Sequence, residues 1–333
     1  MRSSPTPPNP ATPSPLKARS PGAARGAAGL RALPGLLRRA AREFGAHDPL
    51  RLGAATAFFT TFALPPIIII LVQALGALYS ASLARTMLLT KLQGLLGTAA
   101  SGLVDQIVMN VANLERSRLV TWLGFAFLVF IATTLFVVIQ NSLNQVWQVR
   151  ARRSTGPLRA AADQRLRSAA ELLATGVLTA VAFATDAALT VLADYTRDFD
   201  PTFGYYFFRF LNGAVGLLIL TAWCAFTFRA LSAARVSWLA IRPGALLTAV
   251  LITLGEYVLG VLLVTRDLGP IYGPAAGIVG VLLFVFYAAM IFYFGACFTK
   301  VYAHHIGHDL TPKPGAVRYR ILDEAVEAGG DEE

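Results

Sequence analysis

Six long apolar stretches, at about 53–78, 119–147, 168–193, 205–229, 244–266 and 274–303, divide this chain of 333 residues, and each is long enough to cross a bilayer. A helix needs about 20 predominantly apolar residues to span a hydrocarbon core about 30 Å thick. Helices are the only open-chain solution there, because unpaired backbone groups are too costly in lipid. The sequence therefore predicts an all-α, polytopic membrane protein with six transmembrane helices.

Charge sets the orientation. Of the 29 Lys and Arg residues, 22 fall in 1–52, 148–167, 229–243 and 300–333, and the alternate segments hold seven. Short loops rich in Lys and Arg stay in the cytoplasm, so both termini are expected inside, with an even number of crossings between them. With 55% hydrophobic and only 14% charged residues, most of the surface faces lipid, and the net charge of +10 is chiefly topogenic. It would also hold the inner face against anionic lipid. The basic segments flank spans and lack interleaved aromatics, so no specific nucleic-acid partner is expected. Cys224 and Cys297 lie inside spans and read as small buried residues.

Residues 1–34 carry eight prolines and few large apolar side chains, the composition of a disordered cytoplasmic tail. The membrane domain is expected over 35–305 and a second cytoplasmic tail over 306–333. Leu36, Leu37, Ala40, Ala41 and Phe44 recur at helical spacing opposite Arg38, Arg39 and Arg42, which fits a short helix on the inner surface or a solvated linker. Asp48-Pro49 marks the start of the first span, and Pro243 can open the fifth. Residues 79–118 fit two amphipathic helices on the outer side, between spans one and two.

Several residues are candidates for function. Pro65-Pro66 removes two backbone donors from the first span, which predicts a kink or an unwound turn. Gln140, Asn141, Asn144 and Gln145 form a polar stripe that must turn from lipid, either to bond other helices or to line a polar path. Glu256 stands near the middle of its span, Asp186 in the outer half of span three, and Arg209 with Asn212 in the outer part of span four. These four could share a cavity; alternatively Asp186 and Arg209 pair, with Glu256 neutral. Gly269, Gly273 and Gly277 repeat every fourth residue and predict close packing at the head of the last helix. His304, His305 and His308 sit at the wet end of that helix, so interfacial solvation is expected there, and no metal or cofactor. No catalytic constellation is present, and the chain is not expected to be an enzyme.

Three stretches together resemble the YihY/BrkB family of bacterial inner-membrane proteins, formerly labelled ribonuclease BN. They are Asp48-Pro49 through Leu64-Pro65, Ser142-Leu143-Asn144-Gln145-Val146-Trp147, and Tyr272-Gly273 followed by Gly295-Ala296. The resemblance covers roughly 40–305. It implies a six-helix inner-membrane fold and a role in envelope integrity, with movement of lipids or lipid-like molecules. This chain departs from the family in having Cys297 where an acidic residue usually follows Gly-Ala. The leading expectation is a transporter or flippase for an amphiphile. The alternative is a non-transporting envelope scaffold, with a homo-oligomeric or envelope-protein partner.

Overall fold

A computed structural model describes residues 27–76, 118–151, 201–265, 269–313 and 315–319, with isolated positions between 86 and 109 and between 165 and 188. Seven helices order the described chain: α1 (Ala27–Gly45), α2 (Pro49–Gly76), α3 (Arg118–Val146), α4 (Pro201–Ala230), α5 (Trp238–Thr265), α6 (Gly269–Tyr272) and α7 (Ala276–His305). Four strands of two or three residues complete it: β1 (Val149–Ala151), β2 (Ala234–Arg235), β3 (Thr311–Pro312) and β4 (Ala316–Arg318). Among the described residues, Phe207–Ala230, Trp238–Leu259 and Ala276–His305 are long and apolar enough to cross a membrane, and Phe130–Val146 is a shorter apolar helix. Most of the helical threonines turn their hydroxyls back onto their own helix: Thr60 donates to Thr56 O, Thr221 to Leu217 O and Thr227 to Trp223 O. That back-bonding is what lets a hydroxyl sit in an apolar helix.

α7 is the axis of the bundle, with α1, α2, α3 and α5 packed on it. From Phe292 to Thr299 every residue but Phe294 is buried, so neighbours surround this stretch on all sides. Its contacts fix the directions of the others. α3, α4 and α7 finish at one end of the bundle, the basal end, and α2 and α5 begin there. The chain enters and leaves the described bundle at this end.

The segment after α7 closes the base. β4 pairs antiparallel with β1, Val149 opposite Arg318, and β3 pairs antiparallel with β2, Ala234 opposite Pro312. Lys313 donates its backbone N–H to Ala233 O at 2.8 Å and its Nζ to Arg229 O at 3.0 Å. A cation on the last carbonyls of α4 satisfies groups that the helix itself leaves open. Residues 311–319 thus clip the loops after α3 and α4 to the end of α7.

Several expectations need correction. α1 begins at Ala27, inside the stretch assigned to the disordered tail, and its apolar face lies on α7: Leu36 and Ala40 pack with Phe298, and the Phe44 ring meets Phe294 edge-on. Residues 306–319 are tied into the fold, not a free tail. Pro243 lies inside α5, which opens five residues earlier at Trp238. α2 does start at Pro49, but Asp48 has φ 48° and pairs with Arg51 at 3.6 Å. α2 then runs through Pro65 and Pro66 to Gly76 without an unwound turn. Packing against α3 and α7 holds it helical where two donors are missing. The outer amphipathic helices expected at 79–118 lie largely outside the described residues.

Candidate functional site

Four helices meet around Tyr293 and Trp147 near the base. The Tyr293 hydroxyl lies 2.6 Å from Thr56 Oγ1 of α2, and Ser142 of α3 approaches the same hydroxyl. Trp147 is 1% exposed and donates its indole N–H to Ala296 O at 3.0 Å, while its ring lies against Phe228 of α4. Phe292 fills the space between Phe228, Trp223 and Tyr293. Below them Lys300 forms an ion pair with Glu43 of α1 and donates to Val146 O at 2.9 Å. Cys297 is buried one turn above Lys300.

α5 and α7 approach each other through a reciprocal arrangement. A Cβ placed on Gly244 would stand 1.9 Å from Thr299 Oγ1, and one placed on Gly295 would stand 1.8 Å from Thr248 Oγ1. Each threonine donates to the glycine carbonyl of its own helix, Thr248 to Gly244 O at 2.7 Å and Thr299 to Gly295 O at 2.8 Å. Neither helix tolerates a side chain at its glycine, so backbones pack in contact, as small residues four apart permit. Higher up, a Cβ placed on Gly255 would stand 1.9 Å from the Tyr287 ring.

The polar stripe of α3 is partly built into this base. Thr133, Gln140 and Asn144 are seven and four residues apart and share one face of the helix. Asn144 Oδ1 accepts from Ala233 N at 2.8 Å and from Ser232 Oγ at 3.4 Å, holding the loop after α4. Thr133 Oγ1 accepts from Arg165 at 2.8 Å. Gln140, between them, is 5% exposed, and its Oε1 has no hydrogen-bond partner among the described residues. A buried carbonyl left unpaired costs about 1–3 kcal/mol. Asn141 is exposed and Gln145 half-buried.

Arg165 was expected in the loop at the inner end. Its guanidinium instead donates to Phe130 O at 3.0 Å and covers the Phe130 ring at 3.9 Å, about 24 Å along α3 from Val146 by helix rise. An arginine at that depth is held by using its donors and its π-face together.

Glu256 is half-buried on α5, next to Gly255; Arg209 and Asn212 are exposed on α4. Asp186 lies outside the described residues, and with it the Asp186–Arg209 pairing. Among the described residues a Cβ on Gly273 would meet nothing within 4 Å, and its φ of 53° shows that backbone freedom is what the position needs. Gly277 is buried, and Gly269 opens the short α6. His304 Nδ1 lies 2.8 Å from Asp309 Oδ1, both exposed, and no group of metal-ligating side chains occurs among the described residues.

The Gly-x-x-x-Thr pairs at 244–248 and 295–299 were readable as a repeated spacing, but only the fold shows that they face each other. Tyr293 and the 311–319 clip had no signal in the sequence.

A family model described as Virulence factor BrkB matches residues 40–320, most of the chain, from the last turns of α1 through β4. No curated protein and no solved structure matches it.

Proposed function

The chain belongs to the BrkB family, and from that premise we propose that it is a multi-pass protein of the bacterial inner membrane that moves a lipid or other amphiphile between leaflets. In this reading it has six spans with both termini in the cytoplasm, performs no covalent chemistry and needs no cofactor. The charge count supports the orientation, and so does the gathering of the described chain's entry and exit at one basic end.

One observation carries the transport reading: Gln140, a buried amide with an unpartnered carbonyl on a polar face of an otherwise apolar helix. Such a group is retained in a membrane interior where it serves something that passes. A head group bearing hydroxyl or ammonium donors would meet that carbonyl while its tails stay in lipid. Glu256 is the second candidate on the path.

The test is lipid movement in proteoliposomes, comparing the native protein with Gln140→Leu and Glu256→Gln at matched reconstitution. A loss of about 1.4 kcal/mol of head-group bonding corresponds to about tenfold slower movement. No movement in any of the folded proteins would transfer the weight to the scaffold alternative, and equal movement in all three would remove Gln140 and Glu256 from the path. Orientation is tested by single cysteines: Arg38→Cys and Arg318→Cys should label from the cytoplasmic side, Ile271→Cys from the outside, and Arg165→Cys from neither.

A further inference from the structure

A second site stands apart from the polar face of α3. At the base, α1, the end of α7 and β4 enclose a cleft of about 440 Å³. That volume is within the usual range for small-ligand sites. Its apolar wall is Val301 and Leu310, and its polar lining is strongly cationic.

The two carboxylates in it are already engaged, Glu43 with Lys300 and Asp309 with His304. Arg39, Arg42 and Arg318 also line the cleft, are exposed, and have no ion pair among the described residues. Arg39 and Arg42, three residues apart, share a face of α1, and Arg318 comes to them from the other end of the chain. Positive-inside topology accounts for the number of basic residues at this end. It does not account for three guanidinium groups from two segments converging on one concavity beside an apolar wall.

We propose that this cleft binds a phosphate group, presented by an inner-leaflet anionic lipid or by a free phosphate. A guanidinium donates two parallel N–H bonds to phosphate oxygens, and several such forks around one anion distinguish it from a carboxylate. Basic pockets between helices on the cytoplasmic side are suited to lipid head groups, and the wall of Val301 and Leu310 would take the first methylenes of a chain. Because the cleft exists only when α1 and β4 both sit against α7, a bound phosphate joins the two ends of the chain and stabilises the closed base by mass action. The site does not depend on the transport reading and would stand if no lipid movement were found.

The experiment uses the full chain in neutral detergent, with melting temperature and native mass spectrometry as readouts. The probes are inorganic phosphate, dioctanoyl phosphatidic acid, and dioctanoyl phosphatidylcholine as the zwitterionic control. The triple variant Arg39→Gln, Arg42→Gln, Arg318→Gln is set against Arg38→Gln, Arg51→Gln, Arg235→Gln, which removes the same charge from outside the cleft. The site is supported if phosphatidic acid or phosphate raises the melting temperature of the native protein and binds at least about tenfold more weakly to the cleft triple alone. Response to the lipid only assigns the head group; response to both, with mutual competition, assigns the phosphate itself. The proposal is overturned if the two triples lose binding equally, or if neither anion binds better than phosphatidylcholine. Should the cleft triple not fold, Arg42→Gln and Arg318→Gln singly must each weaken binding several-fold, and no change in either overturns the site.

Discussion

The two halves of α7 have different surroundings. Around Phe292 to Thr299 it is ringed by helices, and each indole, hydroxyl and ammonium named there has a partner on another element or its own helix. From Ile278 to Leu283, by contrast, three of six residues are exposed, and on α4 Phe210, Asn212, Gly213 and Leu218 are exposed as well. In lipid there is no hydrophobic drive between helices, so the basal half is held by close backbone approach and hydrogen bonds, and the other half presents apolar side chains outward. Close packing and hydrogen bonds are thus concentrated at one end, and exposed apolar side chains at the other.

Substitutions can break that contrast. Trp147→Ala empties the centre of the basal cluster and should cost about 3–5 kcal/mol, measured by unfolding in mixed micelles. Lys300→Met strands Glu43 and frees Val146 O; a loss of about 1.5–3 kcal/mol is expected in the same assay. Gly244→Ala drives a methyl into Thr299 and should cost about 1–3 kcal/mol, largely recovered when Thr299→Gly is added. Thr56→Val removes one of the two hydroxyl partners of Tyr293, for about 1 kcal/mol. Gly213→Ala and Gly216→Ala, where a Cβ meets nothing within 4 Å, should change stability by no more than about 0.5 kcal/mol. If the last pair proved as damaging as Gly244→Ala, the contrast between the halves would be lost.

What the sequence disclosed follows from how signals accumulate. Hydropathy summed over twenty residues reveals a membrane helix, and a repeat of three to four reveals the apolar face of α1. The partner of a face is another matter: Leu36 and Phe44 point equally well at lipid or at Phe294 and Phe298, and only tertiary structure chooses. Strands of two and three residues are too short for any period, which is why 306–333 read as a tail. Glycine spacing was ambiguous for a different reason. Positive φ and close approach both require glycine, so Gly273 in a turn and Gly244 in an interface look alike until their neighbours are known. The α3 stripe was legible because amides are rare in an apolar helix, but that Asn144 would hold a loop while the Gln140 carbonyl stayed unpartnered among the described residues was not.

The contacts of α7 also order events in time. Glu43 waits 257 residues for Lys300, Trp147 waits 149 for Ala296, and the strands that clip the base follow α7 itself. Segments that leave the ribosome first therefore sit in or on the membrane without their partners until the last helix is inserted. The base closes fully only around a chain translated beyond Tyr319: a polypeptide ending before α7 would carry an unlatched α1, and one ending just after α7 would hold α1 but leave the loops after α3 and α4 unpaired.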